Sequence, residues 1–504
     1  MPYVAHSISA YSKPNIVTCG GAKVSDGEIA STLRHRWSSF VALLLIGIAT
    51  SCIASCDSGT TPSTTVCNPL TFGAVADGKT DNTTAIQNAV NACAVPAGGI
   101  VELSADGKNA IYVTGPFTLK SHVHLQIDEG VTLQATNAHS RYVAAYINWV
   151  YQPNEALISA KGASDVAIIG SGIIDGAGNQ PDPNDGGRTW YELRTAETAA
   201  NPSTRPFLLE FYQCDHVTIS GVTLQNQPYW TQALRFSSDI TESGVTIKGY
   251  GPNSDGVDLV GATNVTLSDL NISVGDDNIA IKSGLPISTS DPYYSKEIGL
   301  PQMPTSHVQI SNITAGLGGG VVIGSEAANG VNDVSIDNVN FTNTEYGFRI
   351  KSARDRGGQI YDINVNHLAM TGVIWPLTID FYYAPIGPDP RGPAQPITPT
   401  TPYAHDISIQ NLVATNALYQ SLIQGLPESC IHNVTLNSVS IQTRSKGIDL
   451  LHMTGTFTNV TSTPPPPDPP FVVEENVTVT TAGTTPVIPI TPPLAGQVAC
   501  NLQV

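Results

Sequence analysis

The chain has 504 residues, of which 41% are hydrophobic and 13% are charged, so it can bury a sizeable core and is not disordered as a whole. Its 23 Lys and Arg residues against 41 Asp and Glu residues give a formal net charge of −18, and no dense basic run offers phosphate contacts, so we expect no nucleic-acid partner. The abundance of Gly, Pro, Thr, Asn, Val and Ile predicts strands and turns rather than long helices.

The first 56 residues are predicted to be an export segment rather than part of the fold. A basic cluster at 34–36 precedes an apolar stretch whose longest run without a polar residue, 40–49, is shorter than the about 20 residues of a spanning helix. The stretch ends at 53–56 in Ile-Ala-Ser-Cys, which resembles a bacterial lipobox and would make Cys56 the lipidated first residue of the mature chain. An ordinary signal peptide cleaved nearby is the alternative. The sequence therefore predicts a lipoprotein of the cell envelope or cell surface, otherwise a secreted protein, that touches a membrane only through this lipid.

Three further parts follow the export segment. Residues 57–66 are rich in Gly, Pro, Ser and Thr and are predicted to form a flexible tether. Residues 67–463 carry a strand repeat, and residues 464–504 form a Pro-rich C-terminal segment. The cysteines beyond the tether are Cys67, Cys93, Cys214, Cys430 and Cys500. One or two disulfides are expected from this odd number, but the sequence leaves their pairing open.

A short phrase recurs from residue 165 onward, in which Asn, Asp, His or Gly precedes alternating apolar residues. Its nine copies begin at residues 165, 216, 244, 264, 307, 333, 362, 406 and 433. Repeats of roughly 20 to 30 residues built from short strands are typical of a solenoid whose coils bury their apolar sides on one another. Alternation along the strand predicts that Val265 and Leu267 point inward. We therefore predict an all-β fold, a right-handed parallel β-helix.

One helix is predicted near the start of this solenoid. Within the stretch from Thr83 to Cys93, apolar residues recur at the spacing of a helix face. The open end of a solenoid exposes unpaired strand edges that invite aggregation. We expect this helix to cap that end.

Three acidic residues interrupt the strand repeat at related places. Asp255 stands in Asn-Ser-Asp-Gly, and Asp276 and Asp277 stand in Gly-Asp-Asp-Asn, one coil further along the chain. Residues one coil apart lie side by side on adjacent strands, about 4.8 Å between backbones. The three carboxylates are therefore expected to share one face. Taken alone, an Asp pair beside Gly is more often turn chemistry.

Two cations and a run of glycines occupy the following coils. Residues 316–320 are Gly-Leu-Gly-Gly-Gly, and Arg349 and Lys351 are two positions apart, so their side chains point the same way along a strand. Taken alone, these cations are typical of a solvated face. Together with the carboxylates they form a ladder that could hold an anionic sugar, with the Asp residues at a glycosidic bond.

At these residues the chain resembles glycoside hydrolase family 28, the polygalacturonases and their relatives. The family signatures Asn-Thr-Asp, Gly-Asp-Asp, Gly-His-Gly and Arg-Ile-Lys correspond to residues 253–255, 275–277, 318–320 and 349–351. Related sequence extends from about residue 72 to about residue 380. By this resemblance, residues 67–463 would be the catalytic domain of a monomeric enzyme that hydrolyses the α-1,4-galacturonosyl linkages of pectin.

The resemblance also implies roles for individual residues. Asp276 would be the general acid, and Asp255 and Asp277 would activate water, with inversion at the anomeric carbon. Inverting enzymes usually keep acid and base about 6.5 to 9.5 Å apart. The substrate-binding residues would be Asn253, Lys282, Arg349 and Lys351. No cofactor and no metal ion are implied.

The chain departs from the family pattern at the histidine between glycines, since residues 318–320 are all glycine. This leaves a polygalacturonase with another partner group, a hydrolase of a different pectic polymer such as rhamnogalacturonan, or a weakened site. Residues 323–326 and 354–358 resemble bacterial members, many of which act from chain ends. Two more hypotheses stay open: a polysaccharide lyase that uses the Asp cluster to bind calcium, and a non-catalytic carbohydrate-binding surface protein.

Overall fold

The computed structural model describes residues 65–105, 109–149, 152–196, 204–288, 294–383, 392–489 and 500. The predicted export segment 1–56 with Cys56, and the tether except for its last two residues, lie outside the described residues. Their assignment stays a prediction.

Two large sheets and one small one make up the described chain. The 21-strand sheet consists of Thr65–Cys67, Asp77–Asp81, Gly99–Leu103, Ala110–Thr114, Val123–Ile127, Val131–Ala135, Ser164–Gly170, Ile173–Asp175, Asp215–Ser220, Thr223–Gln225, Ser238–Ser243, Thr246–Gly249, Thr263–Ser268, Asn271–Val274, Thr305–Ala315, Val331–Thr342, Gln359–Thr371, Tyr403–Ala417, Ile431–Thr443, Met453–Thr463 and Val477–Ala482. The 12-strand sheet consists of Phe117–Thr118, Ile158–Lys161, Leu209–Tyr212, Gln232–Arg235, Val257–Val260, Ile279–Lys282, Val321–Gly324, Tyr346–Lys351, Trp375–Asp380, Ser421–Gln424, Ile448–Leu451 and Phe471–Val473. Ala144–Trp149 and Gln152–Asn154 form an antiparallel pair.

Twelve successive coils of the described chain, from the one that begins at Gly99–Leu103 to the one that begins at Met453–Thr463, each contribute one strand to the 12-strand sheet and one or two to the 21-strand sheet. Neighbouring coils pair in parallel. In the 12-strand sheet, Val257–Val260 pairs with Ile279–Lys282, which pairs with Val321–Gly324. Inward-facing residues of both sheets form one continuous apolar core. Because the sheets are parallel and each coil rests on the next, residues at one register position form a row along the solenoid axis.

The repeated phrase begins with Asn, Asp or His because its first residue has a left-handed backbone. Asp165, Asn264 and Asn433 have φ values of 56°, 55° and 52°, and these residue types tolerate that conformation better than most. The copy at residue 244 also begins with a left-handed residue, since Gly244 has φ of 65°, but its place in the repeat was assigned wrongly. It lies at Thr246–Gly249 in the second strand of its coil, whereas Asp239 takes the equivalent place.

The predicted helix is present with the predicted bounds, Thr83–Cys93. Its buried face consists of Ala85, Ile86, Ala89, Val90 and Cys93. A disulfide joins Cys93 to Cys67 in the first strand of the solenoid, and a second joins Cys430 to Cys500, while Cys214 is a buried free thiol. The other helices are short: Trp190–Leu193 is α-helical, and Pro69–Phe72, His139–Arg141, Arg194–Ala196 and Tyr294–Glu297 are 3₁₀-helical. In the described chain, no helix has the length and apolar character needed to cross a membrane.

Strand pairing continues beyond residue 463, where the sequence places a separate Pro-rich segment. Phe471–Val473 pairs with Ile448–Leu451, and Val477–Ala482 pairs with Met453–Thr463. The prolines between 464 and 470 lie in the connection between strands, where no ladder hydrogen bond is needed. The solenoid therefore includes one more coil than the sequence indicated.

Glu242 occupies a position in the solenoid core that neighbouring coils fill with apolar side chains. It stands in register with Ile219 and Leu267, is fully buried, and accepts a hydrogen bond of 2.8 Å from Nε2 of Gln232. Its second oxygen has no hydrogen-bond partner among the described residues. Burial raises the pKa of Glu242 from 4.5 to about 7, because a buried carboxylate loses its hydration. The carboxyl group is therefore neutral in the folded chain under mildly acidic conditions.

Glu242→Gln is expected to stabilise the fold at pH 8 and to change little at pH 4. A carboxyl whose pKa is higher in the folded chain than in the unfolded chain costs stability as the pH rises above the unfolded value, and the cost is complete above the folded value. A shift of this size corresponds to about 3 kcal/mol in the free energy of unfolding. Denaturant unfolding at both pH values measures it, with the exposed Glu129→Gln as the control. Equal gains at the two pH values would contradict the assignment to Glu242 ionisation.

Candidate active site

The three predicted carboxylates lie together at the N-terminal ends of two neighbouring strands of the 12-strand sheet. Asp255 comes two residues before Val257, and Asp277 comes two residues before its partner Ile279, so the two acids share one register row. One carboxylate oxygen from each of Asp255, Asp276 and Asp277 lies within 4.8 Å of the other two. Asp255 and Asp277 are buried, and Asp276 is partly exposed.

These oxygens are closer than the about 6.5 to 9.5 Å expected for an acid and a base of an inverting enzyme. The spacing still suits a shared water molecule. Two hydrogen bonds of about 2.8 Å meeting at the tetrahedral angle of a water span about 4.6 Å. Two of these carboxylates can therefore hold one water between them.

Two lysines contact the carboxylates directly. Nζ of Lys351 donates to Oδ2 of Asp277 at 2.7 Å, and Nζ of Lys282 lies 3.4 Å from Oδ2 of Asp255 and 2.6 Å from Oδ1 of Asp258. Burial alone would lower the pKa of each lysine, but the neighbouring acids outweigh it and raise both above the ordinary value. Both side chains therefore remain ammonium ions beside the carboxylates.

Arg349 points from the same strand face as Lys351, as the sequence predicts, but it contacts different groups. Its guanidinium carbon lies 3.9 Å from the ring centre of Tyr346 and 5.5 Å from that of Tyr383. Its Nη2 is 3.7 Å from Oδ2 of Asp380, and its Nε has no hydrogen-bond partner among the described residues. Because this Nε is buried and the side chain is 12% exposed, a ligand can reach Arg349 only through its terminal nitrogens.

Asn253 connects the carboxylates to two arginines. Its Nδ2 donates to Oδ2 of Asp276 at 3.3 Å, while its Oδ1 accepts hydrogen bonds of 3.0 Å from both Arg194 and Arg205. These arginines orient the amide so that its donor side faces the acid. The sequence identifies Asn253 through its motif but carries no signal for the arginines, which lie 59 and 48 residues away.

The glycine run at residues 318–320 lies against the carboxylates. A Cβ on Gly319 would overlap Oδ1 of Asp277 and lie 3.0 Å from its Cα. The buried Asn278 holds the run in place, because its Oδ1 accepts from the N–H of Gly320 at 2.8 Å and its Nδ2 donates to the carbonyl of Leu317 at 3.1 Å. No side chain fits at residue 319 while Asp277 keeps its position.

Burial and mutual repulsion raise the pKa values of Asp255 and Asp276. Burial raises the pKa of Asp255 well above its ordinary value, the charges of Asp258 and Asp276 add to this, and Lys282 opposes it. Burial also raises the pKa of Asp276, with a contribution from the charge of Asp277 that Lys351 and Lys282 partly offset. Carboxyl groups this close titrate as one unit. Asp255 and Asp276 thus retain protons at pH values where isolated carboxyl groups have lost them, as a proton donor requires.

Sequence reasoning missed three neighbours of the cluster. Asp258 accepts a hydrogen bond from Lys282, and the ammonium of Lys282 lies 3.8 Å from the ring centre of Trp230. The ring of Tyr383 lies beside the ammonium of Lys351. Asp258 could have been found from the sequence, because strand alternation points Val257 and Leu259 into the core and Asp258 to the opposite side, where the carboxylate cluster lies. Trp230 could also have been found, since strand register places it next to Asp255. Tyr383 follows the end of a strand, where register gives no prediction.

A comparison with models of protein families identifies the family of this chain. The model of glycosyl hydrolases family 28 matches residues 105–463, which is more than half of the chain. The chain belongs to glycosyl hydrolases family 28. The family resemblance predicted from the motifs is confirmed, and so is the expectation that the protein is a glycosidase.

Curated relatives of this family 28 chain include proteins from bacteria and plants. An endo-polygalacturonase of Pectobacterium carotovorum subsp. carotovorum is 32% identical over 354 residues, which is 68% of this chain and 82% of the relative. A probable polygalacturonase of Vitis vinifera is 29% identical over 391 residues, which is 73% of each chain.

Solved structures of family 28 enzymes share the fold. An exopolygalacturonase from Thermotoga maritima has a TM-score of 0.63 at 21% identity, over 82% of this chain and 91% of that one. A polygalacturonase from Erwinia carotovora ssp. carotovora has a TM-score of 0.61 at 24% identity, over 83% and 97%. The predicted right-handed parallel β-helix is confirmed.

Proposed function

We propose that this family 28 chain hydrolyses the α-1,4-galacturonosyl linkages of pectin or polygalacturonan by acid and base catalysis. The observation that carries the proposal is the carboxylate cluster of Asp255, Asp276 and Asp277, with two lysines bound to its members. Relatives in bacteria and plants that are named polygalacturonases support the substrate.

The geometry supports a division of labour among the carboxylates. Asp276 is the most exposed of the three and has a raised pKa, so it is suited to protonate the leaving oxygen. Asp255 and Asp277 share a register row and approach closely enough to hold the attacking water. Arg349, whose side chain is 12% exposed, is suited to bind a uronate carboxylate through its terminal nitrogens. Asn253 orients Asp276, and the contacts of Lys282 and Lys351 with substrate stay predictions.

The lysines also argue against a calcium-dependent lyase. Three carboxylate oxygens within 4.8 Å could hold a divalent cation. Ammonium groups at 2.7 Å from Asp277 and 3.4 Å from Asp255 already neutralise much of that charge and repel a second cation. Hydrolysis without metal is therefore the better match to the site.

The purified chain is expected to release reducing ends from polygalacturonan in the presence of a chelator, because no step needs a metal ion. Reducing-sugar release with and without EDTA measures this. Loss of activity in EDTA, together with an unsaturated product that absorbs in the ultraviolet, would establish the lyase instead. Product analysis on rhamnogalacturonan alongside polygalacturonan identifies the polymer, and the size of the first products separates endo from exo action.

We also propose that the chain is exported, anchored through a lipid on Cys56, and active as a monomer. The two disulfides support export, because such bonds persist in oxidising compartments. Recovery of the full chain in the aqueous phase of a detergent partition would contradict the lipid anchor.

A further inference from the structure

The register row of Asp255 and Asp277 continues toward the C terminus through residues that no catalytic motif includes. Strand pairing places Gly319, Tyr346, Trp375 and Tyr419 after Asp277 in this row, one on each following coil. Since neighbouring coils lie about 4.8 Å apart, the row extends about 19 Å from Asp277. The aromatic ladder, defined as Tyr346, Trp375 and Tyr419, thus continues the line of the carboxylates along the solenoid.

The aromatic ladder has Arg349 at its first ring and is exposed to solvent at its last ring. The guanidinium of Arg349 lies over the ring of Tyr346 at 3.9 Å. The ring centres of Trp375 and Tyr419 are 4.7 Å apart, and Tyr419 is 47% exposed. A large aromatic side chain left this exposed is available to a ligand.

The other direction of the row is closed among the described residues. Phe207 and Trp230 precede Asp255 in the same row, and their rings stack with centres 5.0 Å apart. Both are buried, at 0% and 4% exposure, within a cluster against which Leu300 and Met303 pack. These rings present no free surface, so an extended ligand would find aromatic contacts on the C-terminal side only.

A cation stands beyond the last ring of the aromatic ladder. Lys446 is exposed and comes two residues before Ile448, which pairs with Ser421. The ladder therefore has Arg349 near its start and Lys446 past its end. Aromatic side chains pack on the apolar C–H groups of sugar rings, and cations pair with uronate carboxylates.

We propose that the aromatic ladder is a distal subsite that binds acidic sugar residues several places away from the bond that is cleaved. The identity of the sugar rests on the proposed function. Tyr419, at the far end of the ladder, lies about 19 Å from Asp277, so a long oligogalacturonide bound at the carboxylate cluster reaches it and a short one does not. The aromatic ladder therefore makes the affinity for an oligogalacturonide depend on the number of its sugar residues.

Calorimetry on the Asp276→Asn protein, in which hydrolysis is expected to be about 10² to 10⁴ slower, tests this with an oligogalacturonide trimer and a hexamer as probes. Tyr419→Ala is expected to weaken hexamer binding about three- to tenfold, the size of an aromatic contact, and to leave trimer binding within about twofold. Tyr361→Ala is the control, because this tyrosine stacks on His405 on the 21-strand sheet, away from the carboxylates. Thermal unfolding checks that each variant is folded.

The outcomes separate this inference from the proposed function. Equal losses for trimer and hexamer, or a hexamer loss no larger than that of Tyr361→Ala, would overturn the distal subsite even if the wild-type protein hydrolyses polygalacturonan. Ladder-dependent binding by a wild-type chain that hydrolyses nothing would support the subsite and overturn the enzyme. Absence of length-dependent binding in the parent protein would also overturn the subsite.

Discussion

Asp276→Asn is expected to lower kcat on polygalacturonan by about 10² to 10⁴ while the fold is retained, since general-acid assistance is typically of this size. The amide keeps the shape of the side chain and an oxygen that can accept from Asn253, which lies 3.3 Å from Asp276. It removes the proton that the leaving oxygen requires. Initial rates of reducing-end release measure the effect, and thermal unfolding verifies the fold.

Asp269→Asn is the matched control for this substitution. Asp269 lies on the same coil but is exposed, and its left-handed backbone, with φ of 56°, is one that asparagine also adopts. Its replacement should leave kcat within about twofold. Unchanged turnover in Asp276→Asn would show that Asp276 is not the proton donor.

Lys351→Met is expected to lower kcat/KM about ten- to a hundredfold on both free-acid and methyl-esterified pectin, the size of a lost charge-assisted hydrogen bond. Its ammonium binds Asp277 at 2.7 Å, so the loss should follow the carboxylate cluster rather than the charge of the substrate. The ammonium also lowers the pKa of Asp276, so its removal raises that pKa. An acid with a higher pKa stays protonated to higher pH, and the alkaline limb of the pH profile should therefore move upward.

Arg349→Leu is the comparison variant. The guanidinium of Arg349 is partly exposed, and its loss should affect the free-acid polymer more than the esterified one, because a uronate carboxylate can reach its terminal nitrogens. If Lys351→Met instead shows this substrate selectivity and no shift of the alkaline limb, Lys351 binds the uronate, as the motif by itself implies. The conclusion that Lys351 acts on the reaction through Asp277 would then be wrong.

Much of the fold could be predicted because its determinants are local and repeated. Alternating apolar residues decide which side chains of a strand point inward, as at Val265 and Leu267, which are both buried. Asn, Asp and His at the start of each phrase mark a left-handed backbone, and the helix at Thr83–Cys93 follows from its apolar spacing. The copy at residue 244 was assigned to the wrong strand because both strands of that coil alternate apolar and polar residues in the same way.

The candidate site was only partly predictable for the same reason. A separation of one coil placed Asp255 beside Asp276 and Asp277, since register follows from the repeat. The longer contacts depend on how several coils and their connections pack. Lys351 meets Asp277 across 74 residues, and two arginines reach Asn253 from segments outside its motif.

The amino-acid sequence by itself determined the β-helix, its capping helix and the set of acids and cations on one face, because strand alternation and coil spacing are properties of the chain. Only the tertiary structure decided which acid each cation binds. It also showed that the backbone at Gly319 lies too close to Asp277 for a side chain, and that three aromatic residues continue the row of the carboxylates. Such pairings depend on side-chain positions on coils that the sequence separates by dozens of residues, and no local pattern encodes them.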